Sequence, residues 1–143
     1  MPRLTRWLVK TALLCFVLGL VLGAAMQLRP LARAFPALAA AWPGYVHLLT
    51  VGWVTQLIMG VAYWLFPRAD RSRPPPSEAV GWAAYAALNA GLLLRLAAEP
   101  AASLDPATPL RWLLPLSGLL QLAAACGFAL LLWPRVRERG AER

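Results

Sequence analysis

Apolar residues run through the chain in four long stretches, separated by short connections rich in proline and charge. A helix must be about 20 apolar residues long to cross about 30 Å of bilayer hydrocarbon. The pattern therefore predicts four membrane helices, at about 11–28, 44–66, 78–97 and 110–133. In the first, Gly19 and Gly23 sit one helical turn apart, followed by Ala24 and Ala25, and small residues at that spacing let a second helix approach closely. The second opens at Pro43-Gly44, where proline loses nothing by lacking an N–H, and ends at Phe66-Pro67. The third carries Asn89 near mid-depth, expected to bond across to another helix, and Arg95 near its end, expected to snorkel. Pro115 is expected to kink the fourth, and Pro134 to stop it.

The connections have character too. Residues 29–43 are too apolar for a solvated loop and suggest a short segment lying in the interface or over the helix ends. The second loop holds Arg68, Asp70, Arg71 and Arg73, then Pro74-Pro75-Pro76, a stiff extended turn, with Ser77 placed to cap the next helix. The third, 98–109, is mildly acidic through Glu99 and Asp105.

Composition agrees with this all-α, four-helix, single-domain reading: 60% of the 143 residues are hydrophobic and only 14% charged, against about a quarter charged in a soluble domain. The net charge of +8 does not point to nucleic acid, because the basic residues flank apolar runs. Such a rim orients helices and meets anionic lipid heads. With the N-terminus inside, ten Lys and Arg residues fall on the inner segments and four (Arg29, Arg33, Arg95, Arg111) on the outer ones, which predicts both termini in the cytoplasm. Trp7, Trp42, Trp64, Trp82, Trp112 and Trp133 all fall at predicted span ends as an aromatic belt, and only Trp53 lies inside a span. Cys15 and Cys126 sit in apolar runs without a His or Cys neighbour at metal spacing, as buried thiols do. Arg3, Arg6 and Lys10 before an apolar run resemble a signal peptide, but no small-x-small cleavage site follows, so a retained helix is expected.

The candidate chemistry lies in the second helix. It holds the single histidine, His47, with Thr50, Thr55, Gln56 and Tyr63, and polar side chains in lipid are costly. At 100° per residue His47 shares a face with Thr50, Val51, Val54, Thr55 and Ile58, while Gly52, Gln56 and Gly60 form a roughly opposite stripe read as a close helix contact with Gln56 bonding across it. A neutral imidazole about one turn below the membrane surface serves as a metal or heme ligand, a proton relay or a hydrogen-bonded structural residue. Heme accepts His or Met as axial ligand. Met26 ends the first helix at the level of His47, and Arg29 and Arg33 stand beyond it where propionates would lie. The alternative pair is two copies of His47 from a symmetric dimer.

The stretch 47–68, from His47-Leu-Leu-Thr through Gly52-Trp53-Val54-Thr55-Gln56 to Tyr63-Trp64-Leu-Phe-Pro67-Arg68, resembles the histidine-bearing helix of heme–copper oxidase subunit I-like proteins. It is most similar to their short, four-helix, stand-alone members. The resemblance covers this helix alone. It implies heme b at His47 alone and a place in the bacterial cytoplasmic membrane; Trp53 and Thr55, on the same helix, are further candidate cofactor-binding residues. A full catalytic subunit in that family is far longer and has several further histidines. With one histidine this chain cannot build a heme–copper centre by itself, so enzymatic activity on its own is not expected.

Three functions compete. The first is a heme b-binding membrane protein for electron transfer, gas sensing or heme handling, as a homo-oligomer. The second is a non-catalytic subunit or assembly partner of a respiratory complex, using Gly19/Gly23 and Gly52/Gly60 as contact surfaces. The third is a small transporter, disfavoured because all six acidic residues are placed in loops, at span ends or in the tail. Nucleotide or hydrolytic chemistry has no phosphate loop, carboxylate pair or nucleophile–base pair to rest on.

Overall fold

The computed structural model of the chain describes residues 1–66 and 78–136. The expected proline turn, the Ser77 cap, Pro67 and the arginines at 68, 71, 73, 137, 139 and 143 lie outside the described residues. Among those described, secondary structure is entirely helical, and four helical stretches are long and apolar enough to cross a membrane.

Helix α1, Arg3–Gln27, begins eight residues before the apolar run. The reason is a buried stripe, Leu4, Thr5, Leu8 and Ala12, that continues the helix into the bundle while Arg3, Arg6 and Lys10 stay exposed on the other side. The apolar connection folds into two short helices, α2 (Arg29–Ala34) and α3 (Pro36–Ala39), each opened by a proline in its first turn. The second span is one continuous helical path in three parts: α4 (Trp42–His47), a π-helical stretch (Leu48–Thr55) and α5 (Gln56–Leu65). The third, α6, runs Glu78–Leu104, and the fourth, α7, runs Leu113–Leu132 after a 3₁₀ turn at Pro109–Trp112.

Small residues set the packing. Gly19 of α1 lies against Leu48 and Leu49, and Gly23 against the Tyr45 ring. Gly60 faces Leu8 and Val9, and Gly52 sits between Cys15 of α1 and Leu92 of α6. Both glycine stripes anticipated as partner surfaces therefore close contacts within this chain. Gly91 of α6 rests against the Ser117 backbone, and Ser117 Oγ donates to Gly91 O at 2.8 Å. Leu4, Leu8, Met59, Tyr63, Ala84, Leu88, Ala124, Phe128 and Leu131 form the main core at one end, with Cys15, Leu48 and Leu92 above it.

Several expectations change, among them that of two buried thiols: Cys15 is buried but Cys126 is exposed on α7. Helix α6 continues seven residues past Ala97 and carries Pro100 inside it, because Ala98 is fully buried and Arg95 and Glu99 pair one turn apart on its face. The acidic loop is thus shorter than expected, and Glu99 is helical. Arg95 is held by that pair. Pro115 falls in the first turn of α7, where its missing N–H costs nothing, so no interior kink is required of it. Asn89 Nδ2 donates to Tyr85 O in its own helix at 2.8 Å; one turn away an interhelical bond joins the hydroxyls of Tyr85 and Thr11, also at 2.8 Å.

The spans alternate in direction. Pro2, Arg3, Tyr63, Phe66, Glu78 and Arg135 line one groove, so the chain start, the end of α5, the start of α6 and the exit from α7 share one end of the bundle. There the Arg135 guanidinium lies 4.3 Å from the Tyr63 ring centroid, a cation–π contact on a buried ring.

A methyl group added at Gly52 would stand 2.8 Å from Leu92 and 2.9 Å from Cys15, whereas one at Gly118 meets nothing within 4 Å. Gly52→Ala should destabilise the bundle by about 1–3 kcal/mol through overpacking. Gly118→Ala should leave it unchanged or stabilise it by about 0.5–1 kcal/mol through helix propensity. Thermal unfolding in mild detergent separates the two.

Candidate functional site around His47

The second span carries a buried stripe at four-residue intervals, Gly44, Leu48, Gly52, Gln56 and Gly60, with Met59 and Tyr63 buried beside its far end. In an α-helix four residues overshoot a turn by about 40°, so such a stripe would drift around the helix. The π-helical stretch cancels that drift, since its i→i+5 bonds make a turn longer than four residues. The stripe stays against α1 and α6. Gln56 is fully buried, and its Nε2 donates across the seam to Leu8 O at 3.4 Å, as the sequence suggested; its Oε1 is buried without a partner.

The opposite face looks outward. Thr50, Val54, Thr55 and Ile58 are exposed, His47 is partly exposed, and Val51 leans against the core. The threonine hydroxyls are satisfied inside the helix: Thr50 Oγ1 donates to Val46 O and Thr55 Oγ1 to Thr50 O, each at 2.8 Å. The second bond spans five residues, matching the widened turn. His47 Nδ1 lies 2.9 Å from Pro43 O. A carbonyl only accepts, so Nδ1 carries the proton there, and the neutral ring keeps its lone pair on Nε2. That is the tautomer in which histidine ligates a metal through Nε2, with the Nδ1–H bond fixing the ring.

The other predicted residues fall at separate places. Met26 lines an open groove of about 410 Å³ with Gly23, Gln27, Trp42 and Tyr45, and His47 is not part of that lining. Trp53 packs against Phe16 of α1, ring centroids 4.1 Å apart. Thr55 is held by Thr50. Arg29 and Arg33 are exposed on α2, the short helix directly after α1. Met26, Arg29 and Arg33 thus cluster around the end of α1, while His47, Trp53 and Thr55 lie along the second span. Among the described residues no three His, Cys, Asp or Glu side chains gather to hold a metal ion. Of the predicted residues brought to these places, His47 is the one that could offer a ring nitrogen to a metal.

Two features were not read from the sequence. The π-helical stretch was signalled by the four-residue repeat but lost under a uniform 100° wheel. The second is Glu99, which is 7% exposed beside Gly44. Its Oε1 accepts from Arg95 Nε at 2.6 Å, while Oε2 is buried with no partner. The i,i+4 spacing of Arg95 and Glu99 was the available signal.

No known protein family, curated protein or solved structure matches the chain. The fold itself defines the class: a multi-pass, all-helical integral membrane protein built as a four-helix bundle.

Removing Arg95 leaves a buried carboxylate uncompensated, so Arg95→Ala should cost about 3 kcal/mol of bundle stability. Adding Glu99→Gln to that variant should restore most of the loss. Unfolding midpoints of the single and double variants in the same detergent check this, and an equal midpoint for both would show that the charge is not what matters.

Proposed function

We propose that this chain is a small heme b-binding membrane protein of the bacterial cytoplasmic membrane, with both termini on the cytoplasmic side, serving electron transfer, gas sensing or heme handling in respiration. The observation that supports it is the His47 geometry: Nδ1 is engaged by Pro43 O on a ring that stays partly exposed. The similarity of stretch 47–68 to the histidine helix of oxidase subunit I-like proteins gives that geometry its meaning.

The residues divide the work as follows. The Pro43 carbonyl orients the ring and keeps Nε2 free to ligate. Gly52 and Gly60 draw the inner face of the helix against α1, which leaves the His47 face on the outside of the bundle. Each chain offers one imidazole, so a second histidine ligand would have to come from His47 of a second copy, which favours a homodimer as the functional unit. Arg29 and Arg33 provide cations for propionates at the same end of the bundle. A bound heme b supplies one-electron redox chemistry or a gas-binding iron. The ten-to-four bias in basic residues supports the orientation.

Protein purified in mild detergent after growth with added heme should show a Soret band, with sharp α and β bands on reduction and one heme per two chains. His47→Ala should abolish the Soret band, and Met26→Leu should leave the band positions unchanged. A wild-type protein without Soret absorbance, or an alanine variant that keeps it, would overturn the proposal.

A further inference from the structure

We infer that the end of the bundle carrying the chain start holds a binding site for the headgroup of an anionic phospholipid, in a groove between the first turns of α1 and α6. Arg3, Arg6, Trp7, Lys10 and Trp82 line it, enclosing about 430 Å³. Arg3, Arg6, Trp7 and Lys10 recur at helical spacing on one face of α1, about 10 Å from first to last at 1.5 Å per residue. All four are exposed, while the opposite face (Leu4, Thr5, Leu8) is buried in the core. Among the described residues the one ion pair is Arg95–Glu99, so none of these three cations lies within ion-pair distance of a described carboxylate, although Glu78 shares the neighbouring groove with Arg3. The groove wall is ordered from behind: Trp82 packs edge-on against Tyr85, ring centroids 5.8 Å apart, and the Tyr85 hydroxyl bonds Thr11 of α1.

The same face of α1 changes character along its length. After Lys10 it continues with Leu14, Val17, Leu18 and Val21, all about half exposed. Three cations with two indoles, followed by an unbroken apolar strip, match the division of a phospholipid into phosphate, interface and acyl chain. A soluble anion would find the cations but make no use of the strip below them. The site stands independently of heme at His47, which belongs to the other end of the bundle.

The test uses the full chain in nanodiscs of phosphatidylcholine, identical in both leaflets so that orientation does not matter. Bromine-labelled phosphatidylglycerol or phosphatidylcholine is added at equal mole fraction, and tryptophan quenching is read. Phosphatidylglycerol should quench more strongly, and the excess should vanish when Trp7 and Trp82 are both replaced by phenylalanine. Each Arg or Lys replaced by Gln should weaken the preference about fivefold, the ratio matching about 1 kcal/mol per basic residue at an anionic surface. Arg3→Lys/Arg6→Lys, which keeps the charge, should retain the preference and shows that the altered protein still folds. Equal quenching by the two lipids, a preference surviving Arg3→Gln/Arg6→Gln/Lys10→Gln, or relief of the excess by millimolar inorganic phosphate would overturn the inference.

Discussion

The bundle depends on keeping one face of the second span inward for its whole length. The glycines of its buried stripe meet two helices in turn: Gly44 meets Leu96 and Glu99 of α6, Gly52 lies between Leu92 of α6 and Cys15 of α1, and Gly60 meets Leu8 and Val9 of α1. A regular α-helix would rotate that stripe away from its partners within a few turns. The π-helical stretch at Leu48–Thr55 restores the register, and the Thr55 hydroxyl takes up the five-residue spacing by bonding Thr50 O. Without it, Gln56 would turn toward lipid, where its amide would lack the Leu8 carbonyl it now reaches.

The face turned outward follows from the same register. His47, Thr50 and Thr55 are polar side chains on the exposed side, yet each has a helix-internal acceptor. Of the three, His47 alone retains a second ring atom able to bind something outside the chain. The site read here is therefore a consequence of how the inner stripe is packed: glycines draw one side in, and the imidazole is left on the other.

Charge is distributed by depth. Exposed cations gather at the bundle end of Arg3, Arg6 and Lys10, and again on α2, where water and lipid headgroups solvate them. Among the described residues, Arg135 and the Arg95–Glu99 pair are the charges drawn inward, one over the Tyr63 ring and the other as partners one turn apart. An isolated charge buried among these helices would be far more costly, which is why each buried one has a specific neighbour.

The sequence by itself determined the class, the number of spans and the small residues at helix contacts, because a bilayer demands long apolar runs and close packing demands side chains without bulk. His47 stood out for the same reason: a lone imidazole in an apolar run is visible in one dimension. Only the tertiary structure decided where α1 begins, since Leu4 packs against Gly81 of α6 and Leu8 against Gly60 of α5. It decided that α6 runs through Pro100, since the Arg95–Glu99 pair and buried Ala98 outweigh a local helix breaker. It also decided that Tyr85 and not Asn89 crosses to another helix, because reach across a gap depends on the neighbour's position. The π-helical register was beyond a sequence reading made at one fixed period, for it exists only where three helices together reward the same four-residue stripe.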